Sequence, residues 1–151
     1  MKGEIIQPAP IETILYPKNY KEREHFVSSE CEFSPCGWAR IEDVYYPLGY
    51  KVVTCDLQSL GLRKNPNILI FPVGEWMKLS EDEVTVGNTH WSGWGGVWSA
   101  LERGGAATLS KYMMEKYDIK TRTFLTAMYR PLFANSYRIK SQGVFLLEEI
   151  Y

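Results

Sequence analysis

The stretch Gly104-Gly105-Ala106-Ala107-Thr108-Leu109-Ser110-Lys111-Tyr112-Met113-Met114-Glu115-Lys116-Tyr117, running on into Thr121-Arg122-Thr123-Phe124-Leu125-Thr126-Ala127-Met128-Tyr129, decides the fold class of this chain. Ala106, Leu109, Met113 and Tyr117 recur at the spacing of one helix face, with Tyr112 beside them. Gly104-Gly105 breaks the chain before them, and Asp118 with the β-branched Ile119 ends the pattern. The spacing predicts one main helix over 106–117. Thr121 to Tyr129 instead has the β-branched and aromatic content of a strand.

Outward from this pair the candidates are strands. Tyr50-Lys51-Val52-Val53-Thr54-Cys55-Asp56-Leu57 is one, and Ile68-Leu69-Ile70-Phe71 is a shorter one ending near Pro72. Val73 to Leu79 continues it after a bend, and Gly96 to Ala100 is a further short strand. Arg130-Pro131 interrupts the strand that starts at Thr121. Ser136–Lys140 and Val144–Tyr151 flank Gln142-Gly143 as two more. Ser80-Glu81-Asp82-Glu83 has the spacing of a capping box but no apolar-periodic run behind it, so it reads as an acidic turn. About five to seven strands and one main helix imply an α+β fold, a single compact domain built on a mostly antiparallel sheet. Prolines at 8, 10, 17, 35 and 47 make residues 1–47 an irregular N-terminal arm packed on the body. Residues 48–151 form the domain.

The 151-residue length fits one domain. The formal net charge of −1 argues against a global attraction to nucleic acid or an anionic membrane surface. Three cysteines are too few and too odd for a disulfide scaffold and fit a reducing compartment. With no leader-like apolar core in the first residues and no run approaching the roughly 20 apolar residues of a membrane span, the expected location is cytoplasmic.

Four of the five tryptophans lie between Trp76 and Trp98, most densely in Asn88-Thr89-His90-Trp91-Ser92-Gly93-Trp94-Gly95-Gly96-Val97-Trp98. Indole is large and flat with one donor, and glycine lets backbone approach closely. The segment therefore reads either as a packed aromatic corner or as a cleft for something flat, with Trp91, Trp94 and Trp98 stacking a ring and His90 adding a hydrogen bond or proton transfer. A second reading makes Trp91 and Trp94 anchors of a non-enzymatic protein-interaction module. A third uses the basic stretch 111–140, where Lys111, Lys116, Lys120, Arg122, Arg130, Arg138 and Lys140 interleave with tyrosines, to bind single-stranded nucleic acid weakly. Set against this third reading is a plain solvated face, favoured because the basic excess is modest. His25, Cys31, Cys36 and Cys55 lack the spacing of common zinc sites and read as isolated residues, with no metal expected. No phosphate-binding loop, nucleophile elbow or dinucleotide fingerprint occurs. The sequence assigns no cofactor and does not decide whether the protein is an enzyme.

Gly96-Val97-Trp98-Ser99-Ala100, a glycine break, and Ala106-Ala107-Thr108-Leu109-Ser110-Lys111-Tyr112 together resemble part of the ADP-ribosyltransferase fold, in which a Gly-hydrophobic-aromatic strand leads into a helix with small residues and a tyrosine. The resemblance implies a nucleotide-like ligand, with Trp94 and Trp98 stacking its ring, Tyr112 in the ligand site and Glu148 as the catalytic carboxylate that polarises a ribose hydroxyl. The strand Tyr50-Lys51-Val52-Val53 carries neither the His nor the Arg by which that family holds the NAD ribose. That departure is compatible with a shared fold lacking the transferase activity.

Overall fold

The structure, a computed structural model, describes residues 35–62, 68–85 and 95–150. Among these residues it is an α+β domain with six strands and one long helix: β1 (Trp38–Ile41), β2 (Val44–Thr54), β3 (Trp76–Lys78), β4 (Val97–Ala100), α1 (Arg103–Tyr117), β5 (Thr121–Ala134) and β6 (Arg138–Glu149). Every ladder between these strands is antiparallel. The pairings close on themselves: β2 pairs β5, β5 pairs β6, β6 pairs β4, and β4 returns to β2. β1 hangs on the free edge of β2, and β3 on β6.

The closed circuit has an inside. Val53 of β2, Val97 of β4, Phe124, Met128 and Ala134 of β5, and Ile139, Val144 and Leu146 of β6 pack together with Phe71 and Leu101. Period-two alternation puts their neighbours on the other face, where Ala39, Ile41, Leu48, Ala127 and Phe145 form a second cluster. Trp76 locks β3 onto that outer cluster, with its ring 4.8 Å from Tyr46 and 5.4 Å from Phe145. Helix α1 covers another part of the outside. Thr121 of β5 donates to Ser110 of α1 at 2.9 Å, and Ala106 and Met113 are buried beneath the helix.

The predicted helix is present and begins earlier, at Arg103, because Gly104 and Gly105 fall in its first turn rather than its interior. It ends as expected at Asp118, which adopts the left-handed conformation (φ 55°) and donates to Met114 O at 3.0 Å. The acidic turn at Ser80 is a 3-10 turn over Glu81–Glu83, with the capping box formed.

Three punctuation signals read differently in three dimensions. Arg130-Pro131 does not end its strand. Arg130 takes φ 52° and the register shifts between Pro131 and Phe133, so the chain bends through a bulge and continues to Ala134. Gln142-Gly143 is not a turn either, since β6 runs straight through it. Gly143 is there because β3 lies so close that a Cβ would stand 2.6 Å from Met77 O. The sheet also starts within the stretch expected to be irregular. Trp38–Ile41 and β2 form a hairpin over Glu42 and Asp43, both at positive φ (49° and 70°), a tight turn made without the usual Asn-Gly. Pro47 is tolerated because β2 meets β5 only from Leu48 onward. The apolar run at 68–71 makes only an isolated bridge, Gln58 to Ile70.

Candidate functional site: a cavity at the β2–β4 seam

The circuit is tight on one side and barely joined on the other. β2 pairs β5 from Leu48 to Thr54, but meets β4 only through Tyr50 and Ala100. Past that pair a side chain replaces the ladder: Lys51 Nζ donates to the backbone carbonyl of Trp98 at 2.6 Å. Where the strands part, a cavity of about 910 Å³ opens, bordered by β2, β4, Gly105 and Leu109 of α1, and the segments around Ser59–Leu62, Ile68–Phe71, Leu79–Thr85 and Gly95-Gly96.

Register tells which groups face which way. Lys51 lies opposite Phe124, and Ser99 opposite Ile139, both members of the inner cluster. Tyr50, Ala100, Trp98 and Arg138 fall on the opposite face. The seam thus brings an inner lysine and serine to the same opening as an outer tryptophan and arginine. The Arg138 guanidinium stands 4.3 Å from the Trp98 ring centre, and Phe133 meets that ring edge-on at 6.1 Å.

Lys51 is the unusual group. It lies deep in the fold but keeps part of its surface open, because it borders the cavity. Burial pushes its ammonium pKa down to about 8. Its contacts are the Trp98 carbonyl and the Phe71 ring, 5.1 Å away, and no carboxylate among the described residues forms an ion pair with it. The acids that border the cavity, Asp82 and Glu83, are taken up by the Ser80 hydroxyl at 2.5 and 2.6 Å, which holds both below the usual carboxylate range. Ser99, only 4% exposed, carries the one buried side-chain oxygen among the described residues that lacks a hydrogen-bond partner. Lys140, unlike Lys51, is fully buried; its pKa is also pushed down to about 8 by burial, and its stem passes where a Cβ on Gly96 would lie.

Of the residues singled out in sequence, Trp98 borders the cavity. Tyr112 does not. It sits 41% exposed on α1, its ring 6.0 Å from Tyr117 with Lys116 beside both. Glu148 is exposed near the end of β6 and pairs with Leu125, on the face away from Lys51. His90, Trp91 and Trp94 lie outside the described residues. Their flanks are described: Thr85 N–H donates to Gly95 O at 2.8 Å, and both residues border the cavity. The basic residues of 111–140 do not form one surface. Lys111 pairs with Glu115, Arg122 with Glu149, and Arg130 with Glu81 and Gln142, while Lys140 is buried. Among the described residues no group of three or more His, Cys, Asp or Glu is placed to hold a metal; His25 and Cys31 lie outside them.

Lys51 and Ser99 were not picked out in sequence as site residues, and Arg138 entered only as part of the basic stretch 111–140. A signal existed for Lys51. It sits in an apolar run, and alternation puts it on the same side as Val53, where a lysine is costly unless something compensates. No family model, curated protein or solved structure matches this chain. No helix among the described residues is long and apolar enough to cross a membrane.

Proposed function

We propose that this domain binds a small, flat, anion-bearing ligand, nucleotide-like in its chemistry, at the β2–β4 seam. The observation that carries the reading is Lys51, a deep cation with no carboxylate partner among the described residues, bordering a cavity large enough for such a molecule. A buried charge is stable only when compensated, and a ligand anion would supply that compensation. The unpartnered Ser99 hydroxyl offers a second polar contact on the same inner face. Trp98, with the Arg138 guanidinium over its ring, offers a flat cationic surface at the outer lip. The transferase activity that the resemblance implies is left out of this reading, because Glu148 does not border the cavity.

Calorimetric titration of the full chain with AMP, ADP and NAD tests the proposal. Binding is expected at or below millimolar concentration and weakens about tenfold or more in Lys51→Met, the usual cost of a charge-assisted hydrogen bond. Affinity also falls as pH rises through about 8, where Lys51 loses its charge. Absence of both heat and any shift in unfolding midpoint up to millimolar nucleotide would overturn it.

A further inference from the structure

We propose that Lys51 is a carbonyl-capturing amine, which forms a reversible imine with an aldehyde admitted to the seam cavity. The inference rests on the reading that this cavity takes small ligands. It adds a covalent step at one atom.

Three observations carry it. Lys51 borders the cavity and its Nζ donates to Trp98 O at 2.6 Å, so the nitrogen is positioned without being engaged by an acid among the described residues. Its surroundings are weakly polar, with the Phe71 ring at 5.1 Å and Val97 and Leu69 also on the cavity wall. Such an environment favours the neutral amine over the ammonium, and burial draws the pKa down to about 8. Near neutral pH Lys51 therefore holds roughly a hundred times more free amine than an ordinary lysine. Its lower basicity makes each amine less nucleophilic, and a net preference of about tenfold remains.

The chemistry balances without an oxidant or reductant. The nitrogen lone pair attacks the carbonyl carbon, the N–C bond forms, and the C=O π pair moves to oxygen. A proton passes from nitrogen to that oxygen to give a carbinolamine. The nitrogen lone pair then forms C=N as the C–O bond breaks, and the hydroxyl takes up the second nitrogen proton and leaves as water. Ser99 lies on the same inner face, one position beyond the Tyr50–Ala100 pair, and its unpartnered hydroxyl is the group assigned to serve the departing oxygen.

Pyridoxal 5′-phosphate is a suitable probe, since it is flat, anionic and an aldehyde. The full chain is mixed with a stoichiometric amount near neutral pH, the imine band is recorded, cyanoborohydride fixes the adduct, and peptides are mapped by mass. The expected result is labelling of Lys51 about tenfold above the exposed Lys111, Lys116 and Lys120. In Lys51→Arg that adduct and its share of the band disappear. Labelling spread evenly over the surface lysines, or centred on Lys140, overturns the proposal. Pyridoxine 5′-phosphate, which has an alcohol in place of the aldehyde, separates the two readings. If it binds by calorimetry while Lys51 stays unlabelled, the amine chemistry falls and the cavity reading stands. If it does not bind, and the nucleotides do not either, the cavity reading itself falls.

Discussion

The two walls of this small barrel are built differently. The β2–β5–β6 wall is laddered along most of its length, and its residues supply most of both apolar clusters. The β2–β4 wall has one backbone pair, a lysine crossing the gap, an unpartnered serine hydroxyl and a cavity. Burial and hydrogen bonding that hold a fold together are concentrated in the first, while the polar groups left with unmet bonding capacity are concentrated in the second. The most extensive packing and the proposed binding site thus lie on opposite sides of one sheet, the arrangement of a rigid scaffold that carries a site.

The sharpest way to break the contrast is to damage the tight wall. Phe124 is fully buried in the inner cluster and lies opposite Lys51. Phe124→Ala should cost about 4 kcal/mol in urea unfolding, the range for truncating a core phenylalanine. A loss below about 1 kcal/mol would mean that the interior is looser than its packing implies. Gly143→Ala comes next. Its new Cβ would meet backbone, at Met77 O, which cannot swing aside as a side chain does. About 2 kcal/mol should be lost, the scale of overpacking in a rigid site. Protection of the Lys78 and Leu79 amides from hydrogen exchange should fall first, since Leu79 donates to Gln142 O across this junction.

These two positions also show how far the chain's order of residues could be read. Helix α1 was legible because its apolar spacing is local, and so were the strand character of 121–129 and the antiparallel α+β class. Closure of the sheet was not, because it depends on which distant strands meet, and no period in the sequence records that. Gly143 and Pro131 misled for a related reason: turn-forming residues also serve close approaches and bulges, and only the neighbouring strand decides which. Trp98 was found at the cavity by its ring density. Lys51 was hidden among β-branched neighbours, where a single charged residue looks like the solvent side of a strand. Its meaning depends on Phe124, seventy-odd positions later in the chain, lying opposite it.

On the open wall the expected sign reverses. Lys51→Met keeps the apolar stem and removes a charge that folding disfavours, so stability should rise by about 2 kcal/mol near pH 7 even as nucleotide affinity drops. A destabilised variant would place Lys51 with the scaffold and erase the distinction between the walls. The pH dependence follows from linkage. Folding lowers the Lys51 pKa from the ordinary value, about 10.4, to about 8. Between these values the unfolded chain binds more protons, so stability rises with pH across that window. Lys140 acts in the same sense, and Cys36, whose thiol burial pushes up, acts in the opposite one. The difference between wild type and Lys51→Met is therefore the measure. The variant's gain should be largest near pH 7 and shrink toward pH 10.

The smallest effect belongs to the acid limb of the tight wall. Arg122 grips Glu149 with two hydrogen bonds, at 2.8 and 3.0 Å, where the start of β5 meets the end of β6. The guanidinium holds the Glu149 carboxyl below its usual range. A depressed carboxylate contributes stability above its unfolded pKa and loses it as pH falls through the folded value. Both side chains are partly exposed, 34% and 36%, so solvent and salt weaken the pair. Glu149→Gln should leave the urea midpoint at pH 7 slightly lower and make the fall between pH 5 and pH 3 slightly shallower, with Asp82 and Glu83 supplying what remains of that fall. High salt should shrink the difference between variant and wild type. If instead the variant's acid limb matched the wild type at low salt, the Arg122 clamp would add nothing to the closed wall, whose strength would then lie in its ladders and apolar contacts alone.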